Sequence, residues 1–249
     1  MGPARGPVSV DAPDARLRTF SPMPAPVAPE VRSIVVGPFV QNVYLAFCPR
    51  TREGVLIDPG FEPEKSLALV KSEKVKVLEV IATHGHIDHC WGAVPICEGT
   101  KAPFRMHPAD LYWTEALDRQ AEMFGLEPAP GTPTIDRPIG EGDEVRFGDC
   151  VLRALHTPGH TPGSVCLHDG VGTLFTGDLL FQGSIGRTDF PGGDFPTIVN
   201  SIRGKVFALD PATAVLPGHG PATTVGAEKR TNPFVGDDAV AEDGARGGY

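Results

Sequence analysis

Four side chains of the kinds that bind metal ions fall within six consecutive residues of this 249-residue chain. His84, His86, Asp88 and His89 follow directly on the apolar, β-branched run 75–83, which is typical of a buried strand. Imidazole and carboxylate groups at this density suit a divalent ion such as zinc. One four-coordinate ion cannot easily take all four side chains from so short a segment. The crowding therefore predicts two neighbouring ions.

Three further residues occupy comparable places, each in a loop after a strand-like run. They are His160 in HTPGHTPGS, Asp178 in LFTGDLLF and His219 in LPGHG. The adjacent glycines allow the backbone to approach a ligand closely. A single histidine or aspartate in such a loop is usually structural, but in combination with the cluster at 84–89 these positions predict one shared metal pocket.

The periodicity of apolar residues predicts strands in both halves of the chain, with helices between them. Strands are predicted at 31–36, 42–48, 55–57, 75–83, 144–147, 151–156, 164–168, 173–176 and 214–216. Helices are predicted at 63–72, 108–124 and 194–208. Such an order favours sheets enclosed between outer helices. The polar motifs all fall just after strands, where loops present side chains from a rigid scaffold.

Composition restricts the partners and the compartment. The net charge of −9 argues against binding to nucleic acid or to an anionic membrane surface, since both need a basic patch. No apolar run approaches the length of a membrane span or fits a signal peptide, so we predict a cytoplasmic protein. Five cysteines without a CxxC pair favour reduced thiols in such a compartment.

The two ends of the chain differ in composition from the rest. Residues 1–30 are rich in proline, alanine and glycine, and residues 235–249 are rich in glycine, alanine and aspartate. Neither segment has enough apolar surface to offset the entropy of ordering, so both are predicted to be disordered tails. The folded domain, which contains the metal motifs, is predicted at 31–234.

The order HxHxDH, histidine, aspartate, histidine resembles the metallo-β-lactamase superfamily over about residues 31–234. The resemblance implies an α+β protein with a four-layer αββα sandwich and a dinuclear site at one edge between the sheets. It implies that one ion is held by His84, His86 and His160. The second ion would be held by Asp88, His89 and His219, and Asp178 would bridge the two. Zinc suits these ligands best, and iron or manganese would also fit.

Two segments resemble the glyoxalase II branch, in its short bacterial type without a C-terminal helical domain. They are GSIGRTDFPGGD at 183–194 and HGPATTVGAEKRTNPF at 219–234. The resemblance implies hydrolysis of a small-molecule thioester such as S-lactoylglutathione, with Arg187 helping to bind the glutathione part. The chain departs from the family pattern at Asp189 and Pro221, where the family has tyrosines, and at Gly236, where it has an arginine.

The implied mechanism uses a metal-bound hydroxide. Two ions that share one water lower its pKa from 15.7 towards about 7, and the hydroxide then attacks the thioester carbonyl. Asp88 and Asp178 are the predicted catalytic carboxylates, since Asp88 can orient the nucleophile and Asp178 bridges the ions. A thiolate leaves readily, so no general acid is required.

Three alternatives are compatible with the same fold: two use the same metal core, and the third is a non-catalytic binding or scaffold protein on a decayed form of it. A persulfide dioxygenase of this superfamily binds a single iron through two histidines and one aspartate, and its relatives also carry a GRTDF-type segment, as at 186–190. A complete second ligand set (Asp88, His89, His219) favours hydrolysis over that oxidation. A lactonase or a β-lactamase is the second alternative, and a non-catalytic binding protein is the third.

Overall fold

The computed structural model describes residues 1–2 and 27–239 of the chain. In its first half, six strands form one sheet in chain order. These are β1 Glu30–Val36, β2 Gln41–Phe47, β3 Glu53–Ile57, β4 Lys76–Ile81, β5 Phe104–Met106 and β6 Arg137–Pro138. Strands β1 to β3 pair antiparallel, and β3 to β6 pair parallel.

Eight strands follow in the second half. They are β7 Glu144–Phe147, β8 Cys150–His156, β9 Val165–His168, β10 Thr173–Gly177, β11 Leu180–Phe181, β12 Ser184–Ile185, β13 Ala214–Pro217 and β14 Thr223–Thr224. Six of them form the second sheet in the order β14–β13–β10–β9–β8–β7, and β11 and β12 form a small hairpin. Strands β10 and β13 are parallel, so their carboxyl ends lie at the same edge.

Helices occupy the connections. They are α1 Pro63–Glu73, α2 Ile87–Cys90, α3 Ala93–Thr100, α4 Leu111–Glu115, α5 Leu117–Phe124, α6 Phe195–Ser201 and α7 Val225–Thr231. Helix α1 begins with a proline at its first turn, which suits a position where the backbone N–H has no helical partner. None of the helices among the described residues is long and apolar enough to cross a membrane.

The alternation of side chains along β2 explains the layers. Val43, Leu45 and Phe47 point into a core shared with α1, α3 and α5. Tyr44 and Ala46, one residue out of phase, point into a second core that lies between the two sheets. A third core packs the outer face of the second sheet against α6 and α7. Because both faces of β2 are covered, the whole strand is buried.

These layers confirm the predicted fold class, an α+β protein with a four-layer αββα sandwich. All nine predicted strands are present, each within two residues of its predicted ends. The helix predicted at 108–124 is instead divided into a 3₁₀ turn at Pro108–Asp110, then α4, then α5, with a break at Ala116. Helix α6 continues as a π-helical turn at Ile202–Val206.

The two tails predicted to be disordered fall largely outside the described residues. The structure describes neither 3–26 nor 240–249. At the margins of the predicted domain, β1 begins at Glu30, and Val235 is buried in the third core.

Candidate metal centre

All seven predicted ligands lie at one rim of the sandwich, between the two sheets. Strand β4 of the first sheet leads into the loop and short helix that carry residues 84–89. In the second sheet, His160 follows β8, Asp178 follows β10 and His219 follows β13. The backbone N–H of Gly218 donates to Gly177 O at 2.8 Å, which joins the last two loops. Residues separated by up to 135 positions in the chain thus meet at one edge.

The first cluster consists of three imidazole rings. His160 Nε2 lies 3.2 Å from His84 Nε2 and 2.9 Å from His86 Nδ1. All three side chains are almost completely buried. The three nitrogen atoms face one another and can serve as ligands of a single ion.

The second cluster contains two histidines and two carboxylates. His219 Nε2 lies 3.1 Å from Asp88 Oδ2, and His89 Nε2 lies 3.6 Å from the same atom. The carboxylate of Asp178 lies between the clusters. Its Oδ1 is 3.3 Å from His89 Nε2, and its Oδ2 is 3.5 Å from His219 Nε2 and 3.8 Å from His160 Nε2.

The hydrogen bonding and the spacing of the polar atoms in the site are those expected of ligands to divalent ions. Among the described residues, His89 Nε2 and Asp178 Oδ1 are buried without a hydrogen-bond partner. A buried polar group in that state is costly unless something binds it. Ligand nitrogens around a tetrahedral zinc, at Zn–N distances of 2.0–2.1 Å, are about 3.3 Å apart. The spacings in the first cluster are close to this value, so these residues are suited to hold a metal ion.

The electrostatics of the two clusters differ. Burial, followed by the neighbouring imidazoles, lowers the pKa of His84 and of His86 well below the usual value, so both are neutral and have a free lone pair. Burial also opposes the charged form of His89, but the carboxylates, Asp178 first, outweigh it and raise its pKa well above the usual value. The same balance raises the pKa of His219 to about 10. The second cluster is therefore a set of ion pairs whose protons a cation would replace.

Hydrogen bonds on the far side of each ring fix the orientation of the ligands. His160 Nδ1 donates to Arg187 O at 2.8 Å, and His219 Nδ1 donates to Phe39 O at 2.9 Å. In each ring, this leaves Nε2 facing the cluster, and in His219 that atom becomes a lone-pair ligand once a cation replaces its proton. Such outer partners orient metal ligands and raise their basicity.

Asp58 is a part of the site that the sequence reasoning missed. Its Oδ2 lies 3.0 Å from His89 Nδ1, in an ion-pair contact whose angle is outside hydrogen-bond geometry. Its carboxylate also accepts from Thr83 N at 2.7 Å and from Thr83 Oγ1 at 3.0 Å, and that hydroxyl lies 3.2 Å from His84 Nδ1. Asp58 follows β3 directly. The rule that selected Asp178, a carboxylate just after an apolar strand, would have found it.

Asp110 is a second residue that was missed, and it joins the loops that carry the first cluster. Its Oδ2 accepts from Gly85 N at 2.9 Å and from Thr161 Oγ1 at 2.6 Å, and its Oδ1 accepts from Gly163 N at 2.6 Å. Gly85 lies between His84 and His86 in the chain. The carboxylate is fully buried, and burial raises its pKa against the effect of these hydrogen bonds.

The two clusters form the floor of a cleft of about 620 Å³. This volume is within the range of small-molecule sites. The walls are mostly aromatic and aliphatic, with Phe39, Phe124, Phe181 and Phe190 among them. Arg187, the predicted substrate-binding residue, also lines the cleft, and it forms a two-point ion pair with Asp189.

Comparison with known proteins agrees with this geometry. The family model of the metallo-beta-lactamase superfamily matches residues 36–219. The hydroxyacylglutathione hydrolase GloC of Haemophilus influenzae is 36% identical over 214 residues, covering 82% of this chain and 97% of that protein. The chain therefore belongs to the metallo-β-lactamase superfamily. Its histidine and aspartate clusters, on this fold, imply divalent metal ions and a metallo-hydrolase.

Three solved structures resemble the chain throughout the sandwich. The BLEG-1 B3 metallo-β-lactamase has a TM-score of 0.77 at 33% identity, covering 83% of this chain and 99% of the other. TTHA1623, solved in a di-iron-bound form, has a TM-score of 0.74 at 42% identity, covering 82% and 99%. ETHE1 from Myxococcus xanthus has a TM-score of 0.68 at 31% identity, covering 83% and 84%.

Proposed function

We propose that the protein is a dinuclear metal-dependent hydrolase of a small-molecule thioester, and that S-lactoylglutathione is the first substrate to assay. The observation that carries the proposal is the position of Asp178. Its two carboxylate oxygens approach His89 and His219 of the second cluster and His160 of the first. A carboxylate between two ligand sets supports a pair of ions that act together. The similarity to GloC supports a glutathione-linked thioester.

Each ion has its own ligand set in this proposal. His84, His86 and His160 hold one ion, Asp88, His89 and His219 hold the other, and Asp178 contacts both. Zinc suits these nitrogen and oxygen ligands, and manganese would also fit them. The similarity to a di-iron-bound protein makes iron another alternative. When bound, the ions supply an activated water and positive charge that stabilises a developing oxyanion.

The side chains of the cleft perform the remaining tasks. Asp88 lines the cleft, and its carboxylate can accept a hydrogen bond from the attacking water and orient it towards the substrate carbonyl. Phe181 and Phe190 provide apolar walls that hold the substrate and limit access of bulk water. A thiolate leaves without protonation, which agrees with a cleft in which Asp88 and Asp178 are engaged with histidines.

The test combines metal analysis with a hydrolysis assay of the purified protein. S-lactoylglutathione and thioesters of other thiols are supplied in parallel, and thiol release is measured. Asp178→Ala should lower the metal content to one ion or none and remove most of the activity. Asp169→Ala is the control, since Asp169 is also a buried carboxylate but lies in the β9–β10 turn. Absence of turnover with every thioester would refute the proposed substrate class.

A persulfide dioxygenase with a single iron is the alternative. Two histidines and one carboxylate are enough for that site, and the GRTDF-type segment at 186–190 also resembles that branch. The presence of Asp88, His89 and His219 as a second convergent set favours the hydrolase. Oxygen consumption with glutathione persulfide, measured on metal-analysed protein, separates the two: an oxidation would consume oxygen, and a hydrolysis would not.

A further inference from the structure

Two contacts within its own loop and one with His160 determine the position of Arg187. Its Nε and Nη2 donate to the two carboxylate oxygens of Asp189, each at 2.7 Å. Its guanidinium carbon lies 3.8 Å from the centre of the Phe190 ring. Its backbone carbonyl accepts the hydrogen bond from His160 Nδ1. The side chain is thus folded back along its own loop, beside the metal centre.

The ion pair occupies one of the two edges of the Arg187 guanidinium that bind a carboxylate with two hydrogen bonds, and leaves the Nη1/Nη2 edge. A guanidinium binds a carboxylate through two parallel N–H donors, and Asp189 already takes such a pair. An incoming carboxylate can reach only the remaining donors, and it meets the negative charge of Asp189 as well. The hydrogen bonds from Arg187 lower the pKa of Asp189, so that charge is present at neutral pH.

The rest of the cleft offers no substitute for this cation. Among the described residues that line it, Arg187 is the only lysine or arginine. The other walls include Val40, Phe124 and Pro221, which favour apolar groups. The acidic residues at the floor, Asp88 and Asp178, are metal ligands in the proposed enzyme and so offer no binding group to the thiol portion of a substrate. Glutathione has two carboxylates, and the one side-chain cation among the described lining residues is already paired with Asp189.

This inference rests on the proposed thioester hydrolysis and narrows it, since it ranks glutathione thioesters below those of an uncharged thiol. We propose that Asp189 determines specificity by competing with anionic substrates for Arg187, so that the preferred substrate is a thioester whose thiol portion is uncharged and apolar. The aromatic walls bind that portion, and Arg187, whose charge is balanced by Asp189, lines the cleft without attracting carboxylates.

A binding experiment on the metal-loaded protein tests the proposal independently of turnover. The probes are S-methylglutathione, which is anionic and cannot be hydrolysed, and the S-methyl derivative of N-acetylcysteamine, which is uncharged. Asp189→Asn should tighten the binding of S-methylglutathione about fivefold, which corresponds to about 1 kcal/mol, the upper range for an exposed ion pair. It should leave the uncharged probe unchanged. Added salt should reduce the gain, because the effect is electrostatic.

Two further variants make the result specific. Asp149→Asn removes the same charge from a similar two-point pair, in which Arg50 Nε and Nη2 donate to the Asp149 carboxylate at 2.6 and 2.7 Å. Neither residue lines the cleft. This variant should change the affinity for neither probe. Adding Arg187→Gln to Asp189→Asn should abolish the gain. Equal tightening of both probes, or no tightening of either, would overturn the proposal.

Turnover then separates this inference from the proposed function. The wild-type protein should hydrolyse the lactoyl thioester of N-acetylcysteamine with a higher kcat/KM than S-lactoylglutathione. If neither thioester is hydrolysed, the proposed function fails, while the binding ratio still decides the role of Asp189. If S-lactoylglutathione is hydrolysed but Asp189→Asn does not lower its KM, the hydrolase stands and the specificity claim fails.

Discussion

Asp110→Asn should weaken metal binding although Asp110 is not a ligand. The carboxylate links the loop of His84 and His86 to the loop of His160 through Gly85, Thr161 and Gly163. The substitution preserves the shape of the side chain and changes one acceptor oxygen into an NH₂ donor. The new NH₂ group must then face at least one of the N–H or O–H groups that donate to the carboxylate in the wild-type protein.

The magnitude follows from the three hydrogen bonds. The amide oxygen can take the place of Oδ2 and keep Gly85 N and Thr161 Oγ1, but without the charge that strengthens both bonds. Gly163 N then faces the NH₂ group, and an unsatisfied buried N–H costs about 1–3 kcal/mol. Together these losses reduce the free energy of unfolding by about 3 kcal/mol. Because the first-cluster loops lose their link, metal affinity should fall about 10–100-fold, as it does when partners of metal ligands are removed.

Urea unfolding and a metal titration against a competing chelator measure the two effects. Asp169→Asn is the matched control: Asp169 is buried, and its Oδ1 accepts from three backbone N–H groups, all at 2.8 Å, in the β9–β10 turn. One amide oxygen can keep all three, so the expected cost is about 1 kcal/mol with unchanged metal affinity. Wild-type metal affinity in Asp110→Asn, or an equal loss in both variants, would refute the reasoning.

Three other perturbations have definite expected outcomes. Asp58→Asn should lower metal affinity about 10–100-fold in a chelator competition, because His89 loses its carboxylate partner. Gly218→Ala should reduce the metal content from two ions towards one by elemental analysis, since a Cβ would overlap Asp178 Oδ1 and lie 2.6 Å from His89 Cε1. Removing the metal with a chelator should lower Tm by about 5–10 °C for each ion lost in a thermal melt, since an ion at about 100 times its Kd stabilises the fold by about 2.7 kcal/mol.

The strands and the ligand motifs could be predicted because their information is local. Strand β2 shows its β-branched and aromatic residues in the sequence, and HGHIDH shows four ligand types in one segment. Strands β5, β6, β11, β12 and β14 have only two or three residues each. Such short strands carry no periodic pattern, and they exist because a distant neighbour supplies the hydrogen bonds.

The residues that were missed depend on contacts distant in the chain. Asp110 lies in a segment whose apolar spacing predicts a continuous helix, yet its carboxylate is engaged with loops 25 and more residues away. Asp58 directly follows a strand, so the rule applied to Asp178 selects its position, but IDPG is also typical of a turn, and only the fold shows that its partner is His89. The pairing of Arg187 with Asp189 also requires the fold, because Asp194 lies in the same segment and caps α6 instead.

The position of the metal centre at the seam between the two sheets has a kinetic consequence. The first sheet supplies residues 84–89 and the second supplies His160, Asp178 and His219, so the complete set of ligands exists only after both halves have docked. Interactions that form this late stabilise the native state more than the folding transition state. Metal loading should therefore lengthen the lifetime of the folded protein and leave its refolding rate nearly unchanged.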